Sequence, residues 1–142
     1  MNTTHIRDNT GKPRWYIVDA QNHRLGRLAT EIATILRGKN HVYFDPSTSP
    51  ANHIIVINAK SVNVSGAKAQ QKIYYRHSGR PGSLKTETFE TLQKRLPNKI
   101  IENAVRKMLP KGALGRQIFK NLKVYADENH PHNAQKPIKI DL

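Results

Sequence analysis

The sequence predicts an α/β fold, a three-layer α/β/α sandwich with a short, mostly parallel sheet of about four strands, basic loops and polar terminal extensions. Two nearly continuous apolar runs, Trp15–Asp19 and Ile54–Ile57, are typical of strands buried on both faces. Between them, residues 25–37 repeat apolar side chains at helical spacing, and Gly38 can close the helix. Strand, helix and strand in this order predict a βαβ unit with parallel strands.

The next elements follow from alternation and turn residues. Residues 40–53 contain two prolines and several serine and threonine residues, which predicts a long loop. Val62 and Val64 alternate with polar residues and indicate a short strand or hairpin arm. Residues 72–78 alternate in the same way and predict a third strand, which ends at a glycine- and proline-rich turn over residues 79–82.

The second half of the chain predicts three helices and a strand. Residues 89–96 form a short helix, and Pro97, a residue favoured at the first helical position, begins a second helix that runs to Leu109. An apolar stripe over residues 114–122 predicts a third helix, and Lys123–Tyr125 predicts a brief last strand.

We expect one domain from the 142 residues, with a polar segment at each end. The predicted division is an N-terminal arm at residues 1–13, an α/β RNA-binding domain at 14–125 and a C-terminal extension at 126–142. The extension alternates apolar and polar residues at its end. We expect both terminal segments to become ordered on binding a partner.

The charge of the chain predicts a polyanionic partner. Lysine and arginine number 24 against 10 acidic residues, which gives a formal net charge of +14. From residue 68 to 123 there are 14 basic and three acidic residues, so the second half should carry the anion-binding surface. A membrane partner is not expected, because the sequence has no apolar run of about 18 residues.

The N-terminal residues and the cysteine content indicate the cellular compartment of the protein. The N-terminus lacks the apolar core of a signal peptide and fits a transit peptide poorly. Without cysteine the chain has no disulfide framework and no thiolate metal site, which is consistent with a reducing compartment.

The most informative segment is Arg106–Arg116, with the sequence Arg-Lys-Met-Leu-Pro-Lys-Gly-Ala-Leu-Gly-Arg. One helix should end at its proline, and another should begin after its first glycine. Arg106, Lys107, Lys111 and Arg116 crowd this corner with no carboxylate between them. Positive charge, free backbone amides and little bulk suit a phosphate backbone, whereas nothing here could act as a nucleophile or general base.

Further basic residues extend the predicted surface. Lys99 shares the polar face of its helix with the first two corner residues, and Lys120 and Lys123 follow Arg116 at helical spacing. Arg76, His77, Arg80 and Lys85 surround the predicted turn at 79–82, where neighbouring tyrosines could stack on bases, although core packing is the favoured role for them. RNA is favoured over DNA because no recognition helix or zinc module is visible.

Motifs for catalysis or cofactor binding are absent from the sequence. It has no G-x-G-x-x-G, no Gly-Lys-Ser/Thr, no G-x-S-x-G and no H-E-x-x-H, so we predict no catalytic residue, no cofactor and no metal. Gly26 could belong to a phosphate loop, but close packing of helix on sheet is the favoured interpretation. His130 and His132, separated by a proline, suit a hydrogen-bonding or RNA-contacting loop better than a metal site.

The order of several short segments resembles one family, the thirteenth protein of the large ribosomal subunit in its bacterial or organellar form. Together the segments span residues 15–137, and they are Trp15–Ala20, Leu25–Ala29, Leu36–Lys39, Ile55–Ala59, Tyr75–Gly79, Met108–Gly112, Leu114–Arg116, Leu122–Tyr125 and His130–Gln135. The sequence departs from the family pattern at three places. An acidic residue is usual at Asn52–His53, a glycine is usual at Ser83, and a glycine usually follows the tyrosine where this chain has Ala126–Asp127.

The resemblance implies a structural protein with an α/β/α core that binds ribosomal RNA and supports early assembly of the large subunit. It implies no enzyme activity. The implied partners are large-subunit ribosomal RNA, neighbouring large-subunit proteins and, for some members, their own messenger RNA. The implied location is the bacterial cytoplasm or the plastid or organelle stroma. Carried over by position, the implied RNA contacts are Arg76, His77, Arg80, Lys85, Lys111, Arg116, Lys123, His130 and His132.

Two other functions stay open from the sequence. A free regulator that binds a messenger RNA would use the same basic surface. A nucleotide-dependent enzyme could share the sheet, but the missing phosphate-binding fingerprint argues against it.

Overall fold

A computed structural model describes residues 13–42 and 44–142, so most of the predicted N-terminal arm lies outside the described residues. In chain order the elements are β1 Arg14–Asp19, α1 Leu25–Arg37, β2 Asn52–Ile57, α2 Lys68–Gln71, β3 Ile73–His77, β4 Leu84–Thr88, α3 Phe89–Arg95, α4 Pro97–Met108, α5 Ala113–Phe119, β5 Leu122–Val124 and β6 Ile138–Lys139. Short 3₁₀ turns occur at Ala59–Ser61 and Asn133–Gln135.

The main sheet has four parallel strands in the order β5-β2-β1-β6. The predicted βαβ unit is confirmed, and α1 has the predicted bounds because Gly38 ends it in the left-handed conformation, at φ 76°. The predicted α/β class is confirmed, and the arrangement is compatible with the α/β/α sandwich. Strand β6 lies inside the predicted C-terminal extension and pairs with β1.

One face of the sheet packs on the helices. In the β1–β2 register Tyr16 lies beside Ile54 and Val18 beside Val56, and these side chains join the core built by α1, α3, α4 and α5. Helix α1 contributes its apolar stripe, including the fully buried Leu28, Ile32 and Leu36. Burial of such a stripe, more than intrinsic propensity, stabilises a helix of this length.

The C-terminal segment contacts the other face of the sheet. Ile55 is fully buried but lies outside the helical core, because its side chain points away from the helices. On this face Trp15 stacks on His53 at 4.3 Å and contacts His132 at 5.2 Å between ring centroids. The segment after β5 therefore passes over the sheet before it returns as β6.

The largest difference from the sequence prediction is a separate antiparallel hairpin. Strand β3, predicted as the third strand of the mostly parallel sheet, instead pairs with β4, a strand that the sequence did not predict. The turn between them reverses the chain directly, with Gly79 at φ 93° and Gly82 at φ 74°. Ser83 fits this turn because its hydroxyl donates to the Arg80 carbonyl oxygen at 2.5 Å.

The prediction of a short strand at Val62 and Val64 was wrong. Among the described residues, this segment makes one isolated bridge, between Asn63 and Arg24. The side-chain amide of Gln93 donates to the backbone oxygens of Lys60 and Val62 at 2.7 and 3.2 Å. Backbone hydrogen bonds of Asn63 with residues 23 and 25, together with this side chain from α3, take the place of those that a neighbouring strand would supply.

Two smaller boundary predictions also need correction. Strand β5, predicted at Lys123–Tyr125, spans Leu122–Val124, so Leu122 belongs to it and not to the preceding helix. Asn52 begins β2 and is buried, where the amide donates to the Ile35 carbonyl oxygen at 2.9 Å. This bond satisfies a buried polar group and ties the end of α1 to the sheet.

Candidate nucleic-acid interface

The predicted corner over residues 106–116 is a tight connection between α4 and α5. Leu109 is buried, and Gly115 packs directly against the backbone carbonyl of Pro110. A Cβ atom on Gly115 would overlap that carbonyl oxygen. The short spacing from proline to glycine therefore brings α5 close to the end of α4.

This geometry exposes the four predicted corner cations. Arg106 and Lys107 lie in the last turn of α4, a position that also favours positive charge because of the helix dipole. Lys111 lies in the turn and Arg116 on α5, and all four are exposed. Within residues 13–42 and 44–142, no carboxylate lies within 4.0 Å of their charged nitrogens.

A groove lies beside the corner, between the hairpin and helices α3 and α4. Its volume is about 510 Å³. Cross-strand register places Arg76 opposite Lys85 and Tyr74 opposite Glu87 on the face of the hairpin that lines the groove. The groove brings together five of the predicted site residues, which are Arg76, Lys85, Lys99, Arg106 and Lys107.

The acidic residues of this region are already paired. Arg95 Nη2 donates to both oxygens of Glu87 at 2.7 and 2.5 Å. Lys94 pairs with Glu90 at 2.8 Å and Lys99 with Glu102 at 2.7 Å. Among the predicted site residues, Lys99 is therefore the one that an acidic residue pairs in the described part of the chain. Such exposed pairs are weak and can exchange for a phosphate.

The tip of the hairpin presents His77 and Arg80. His77 Nδ1 accepts a hydrogen bond from the backbone N–H of Gly79 at 2.9 Å, so this ring also helps to form the turn. Arg80 is exposed within the turn. The groove lining on β3 ends at Arg76 and does not include His77.

The remaining α5 residue, Lys120, is exposed at the C-terminal cap of the helix. Together with Lys111 and Arg116 it extends the row of exposed cations from the corner along α5. We call the groove, the corner and the exposed face of α5 the basic surface. It comprises Arg76, Lys85, Lys99, Arg106, Lys107, Lys111, Arg116 and Lys120.

Lys123, His130 and His132 lie apart from the basic surface, on the far face of the parallel sheet. Lys123 is in register with Ile55, whose side chain points away from the helices. His132 Nε2 lies 2.9 Å from the Tyr125 hydroxyl, and the backbone N–H of His132 donates to His130 Nδ1 at 3.2 Å. Both imidazoles are half-buried, so their contacts within the chain hold the C-terminal segment on the sheet.

The same cluster perturbs His53. Burial lowers the pKa of the His53 imidazole, and the nearby Lys123 and His132 lower it further. A neutral ring is therefore favoured in the stack with Trp15. Among the described residues, no group of three or more histidine and acidic side chains is arranged to hold a metal ion.

Sequence reasoning missed several residues that line the groove, among them the basic Lys72 and Arg95 and the apolar Leu92 and Leu96. Their significance depends on β4, whose signal was the alternation of residues 84–88 directly after a turn. The core role favoured for both tyrosines holds for Tyr74, which packs against the core, and was wrong for Tyr75, which is 67% exposed. Burial raises the pKa of the Tyr74 hydroxyl, which favours its neutral form.

Known proteins resemble this chain over most of its length. The model of the family described as Ribosomal protein L13 matches residues 13–131, which include every predicted site residue except His132. Large ribosomal subunit protein uL13 of Acaryochloris marina (strain MBIC 11017) is 60% identical over 134 residues, covering 94% of this chain and 89% of the relative. Its namesake from Cyanothece sp. (strain PCC 7425 / ATCC 29141) is 57% identical over 143 residues, covering 100% and 96%. That from Synechocystis sp. (strain ATCC 27184 / PCC 6803 / Kazusa) is 59% identical over 124 residues, covering 87% and 82%.

Proposed function

The chain belongs to the ribosomal protein L13 family, and from this premise we propose that it is a structural constituent of the large ribosomal subunit that binds ribosomal RNA. In this role it supports early subunit assembly and translation. Its proposed partners are large-subunit ribosomal RNA and neighbouring large-subunit proteins, with no membrane. We propose that the protein binds and positions RNA and catalyses no reaction.

The observation that carries this proposal is the continuity of the basic surface. Seven of its eight cations have no carboxylate within 4.0 Å in the described part of the chain, the exception being Lys99. Exposed like charges at this density repel one another, and a polyphosphate backbone relieves that repulsion. Contacts to phosphates position a protein on RNA without reading its sequence, which suits a structural role.

Five more predicted residues fit an RNA contact in different ways. Arg80 and His77 at the hairpin tip can reach a second RNA segment, because the turn projects beyond the groove. Lys123 provides an exposed cation on the far face of the sheet. His130 and His132 support the segment around it, and we propose an RNA-facing role for their exposed edges.

The proposed location is the ribosome of a bacterial cytoplasm or of a plastid or organelle stroma. The relatives compared above are cyanobacterial, which fits either a bacterial or a plastid ribosome. No helix in the described part of the chain is long and apolar enough to cross a bilayer. The messenger RNA of this protein could occupy the same basic surface. Whether the protein is found in ribosomes or on free messenger RNA therefore distinguishes the structural role from the regulatory role.

The proposal is tested by measuring binding of the purified chain to large-subunit ribosomal RNA, with small-subunit ribosomal RNA of equal length as competitor. We expect the large-subunit RNA to retain the protein when the competitor is in excess. Equal retention by both RNAs would leave only non-specific electrostatic binding and would contradict the proposed function.

A further inference from the structure

The groove between the hairpin and helices α3 and α4 combines an apolar floor with a cationic rim. Leu92, Leu96 and the ring of Tyr74 line it from inside, and Leu96 is 43% exposed there. Arg76 and Lys85 rise from the hairpin side, and Arg106 from the helix side. A ligand that fills this groove must therefore offer an apolar surface and a negative charge within a few ångströms of each other.

The two main forms of RNA differ in whether they meet that requirement. A duplex presents phosphates and sugars outward and stacks its bases inside, so the apolar floor would remain uncovered. An unpaired strand exposes the faces of its bases, which stack on aromatic side chains while phosphates bind cations nearby. The volume of about 510 Å³ is that of a small-ligand pocket and is too small to admit a double helix.

Resting on the proposed function, we propose that this groove is a binding site for unpaired RNA. A flipped-out base lies against Tyr74 and the leucine side chains. The phosphates on either side of it contact Arg76, Lys85 and Arg106. The corner and α5 then provide the phosphate contacts for an adjoining helical segment, so the protein binds a junction between a helix and an unpaired strand.

Two features of the groove support an RNA ligand with this geometry. Lys72 Nζ lies 5.6 Å from the centroid of the Tyr74 ring, so a cation already lies next to the stacking surface. Glu87, the acidic residue of the groove lining, is held by Arg95 at its edge, which leaves the opposed cations Arg76 and Lys85 for the ligand. An acidic peptide would match the charge but offers no flat ring for Tyr74, so it is the less suitable occupant.

The test compares an oligouridine strand with an RNA hairpin duplex of the same number of phosphates, using the full chain at one salt concentration. We expect the strand to bind about tenfold more tightly, since each stacked base contributes at that level. Leu96→Gln, at an exposed position of the floor, should weaken binding of the strand about tenfold and leave the duplex unchanged. Tyr74→Ala should act in the same direction, and Tyr74→Phe, which keeps the ring, should bind like the unchanged chain.

Each other outcome overturns a distinct statement. If the duplex binds as well as the strand, or if Leu96→Gln weakens both equally, the groove is not a site for unpaired RNA, and the proposed ribosomal function is untouched. If a glutamate-rich peptide displaces the strand at equal concentration, the groove belongs to a protein partner. If neither RNA binds, the proposed function fails together with this inference.

Discussion

At the scale of single residues, two glycines in helices have opposite surroundings. Gly115 in α5 is buried against the carbonyl of Pro110, whereas Gly26 in the first turn of α1 is exposed, with open space where a Cβ would lie. Close packing, which the sequence suggested for Gly26, is therefore found at Gly115. Both glycines stand in a Leu-Gly-Arg triplet, so local sequence cannot separate them, and only the neighbouring chain does.

Gly115→Ala should lower the free energy of unfolding by about 1–3 kcal/mol or more, because the added methyl group must push the corner apart. Urea denaturation monitored by circular dichroism measures this. Gly26→Ala is the matched control and should be neutral or stabilising by about 0.5–1 kcal/mol, since it removes backbone entropy from the unfolded chain. Equal effects of the two changes would contradict the packing described at the corner.

Acidification should destabilise the fold through His53. Because the pKa of the half-buried His53 ring lies below its ordinary value of 6.5, the unfolded chain binds the proton first as the pH falls. The stability contributed by neutral His53 is complete above about pH 6.5 and is lost as the pH falls through the folded-state pKa. Protonation also places a buried charge on a ring whose Nδ1 has no hydrogen-bond partner among the described residues.

Thermal unfolding is measured at several pH values from about 8 to about 5 and is monitored by the fluorescence of the single tryptophan. The decrease in melting temperature reports this loss of stability. His53→Gln should show a smaller decrease in melting temperature over the same range. Trp15, which stacks on His53, makes the signal local to the cluster. A decrease of the same size in both proteins would assign the pH dependence to other histidines.

At the scale of elements, predictability followed how local the determining contacts are. The bounds of α1 and the start of α4 at Pro97 follow from residues within the helix, and the sequence predicted both. The strand at the C-terminus, β6, has two residues, and its partner β1 lies near the other end of the chain. Strand β4 is the exception, because its partner β3 precedes it directly and the sequence still did not predict it. Residues 62–64 look like a strand in isolation, but their hydrogen bonds are made with residues 23 and 25 and with Gln93, about 30 to 40 positions away.

The candidate site was predictable to the same extent. The cations of the corner are adjacent in sequence, so their clustering follows from the helix–turn–helix pattern. The groove needs the hairpin to face α3 and α4, and this long-range arrangement has no local signal. Its floor and its ion pairs therefore became visible only in the folded chain.

Neutralising the corner should separate folding from assembly. A variant with Arg106, Lys107, Lys111 and Arg116 all changed to Gln keeps the buried residues and should fold normally, because these side chains are exposed. It should enter large subunits poorly, since phosphate contacts are lost. Quantitative mass spectrometry of gradient-purified subunits measures its incorporation against the unchanged protein.

The control variant removes the same charge from other exposed positions: Arg27, Lys39, Lys136 and Lys139. It should incorporate better than the corner variant. If incorporation of both variants is reduced to the same extent, net charge and not the corner determines incorporation.

At the scale of the whole molecule, the net charge of +14 predicts the salt dependence of RNA binding. Each neutralised phosphate releases counterions, so the logarithm of the affinity should fall linearly with the logarithm of the salt concentration. If six or more phosphates are contacted, affinity should drop roughly 10³-fold or more between about 50 and 200 mM salt. Fluorescence anisotropy with a fixed RNA measures the slope, and an affinity nearly independent of salt would contradict the phosphate-contact account.

The distribution of charge also explains why the fold and the function are compatible. Helices and parallel sheet share one apolar core, and the basic surface lies on a corner and a hairpin outside it. The exposed cations can therefore crowd together without removing buried contacts. Under the proposed function, bound RNA relieves the repulsion among these cations and thereby stabilises the folded chain.

We propose that this chain functions as a structural protein of the large ribosomal subunit. Sucrose-gradient sedimentation of the tagged protein from an extract of its own cells, with sequencing of the RNA that copurifies, tests it most directly. We predict that the protein sediments with the large-subunit and whole-ribosome peaks and copurifies with large-subunit ribosomal RNA. Protein that stays at the top of the gradient, bound to a messenger RNA or to no RNA, would contradict the claim and support the regulator or enzyme instead.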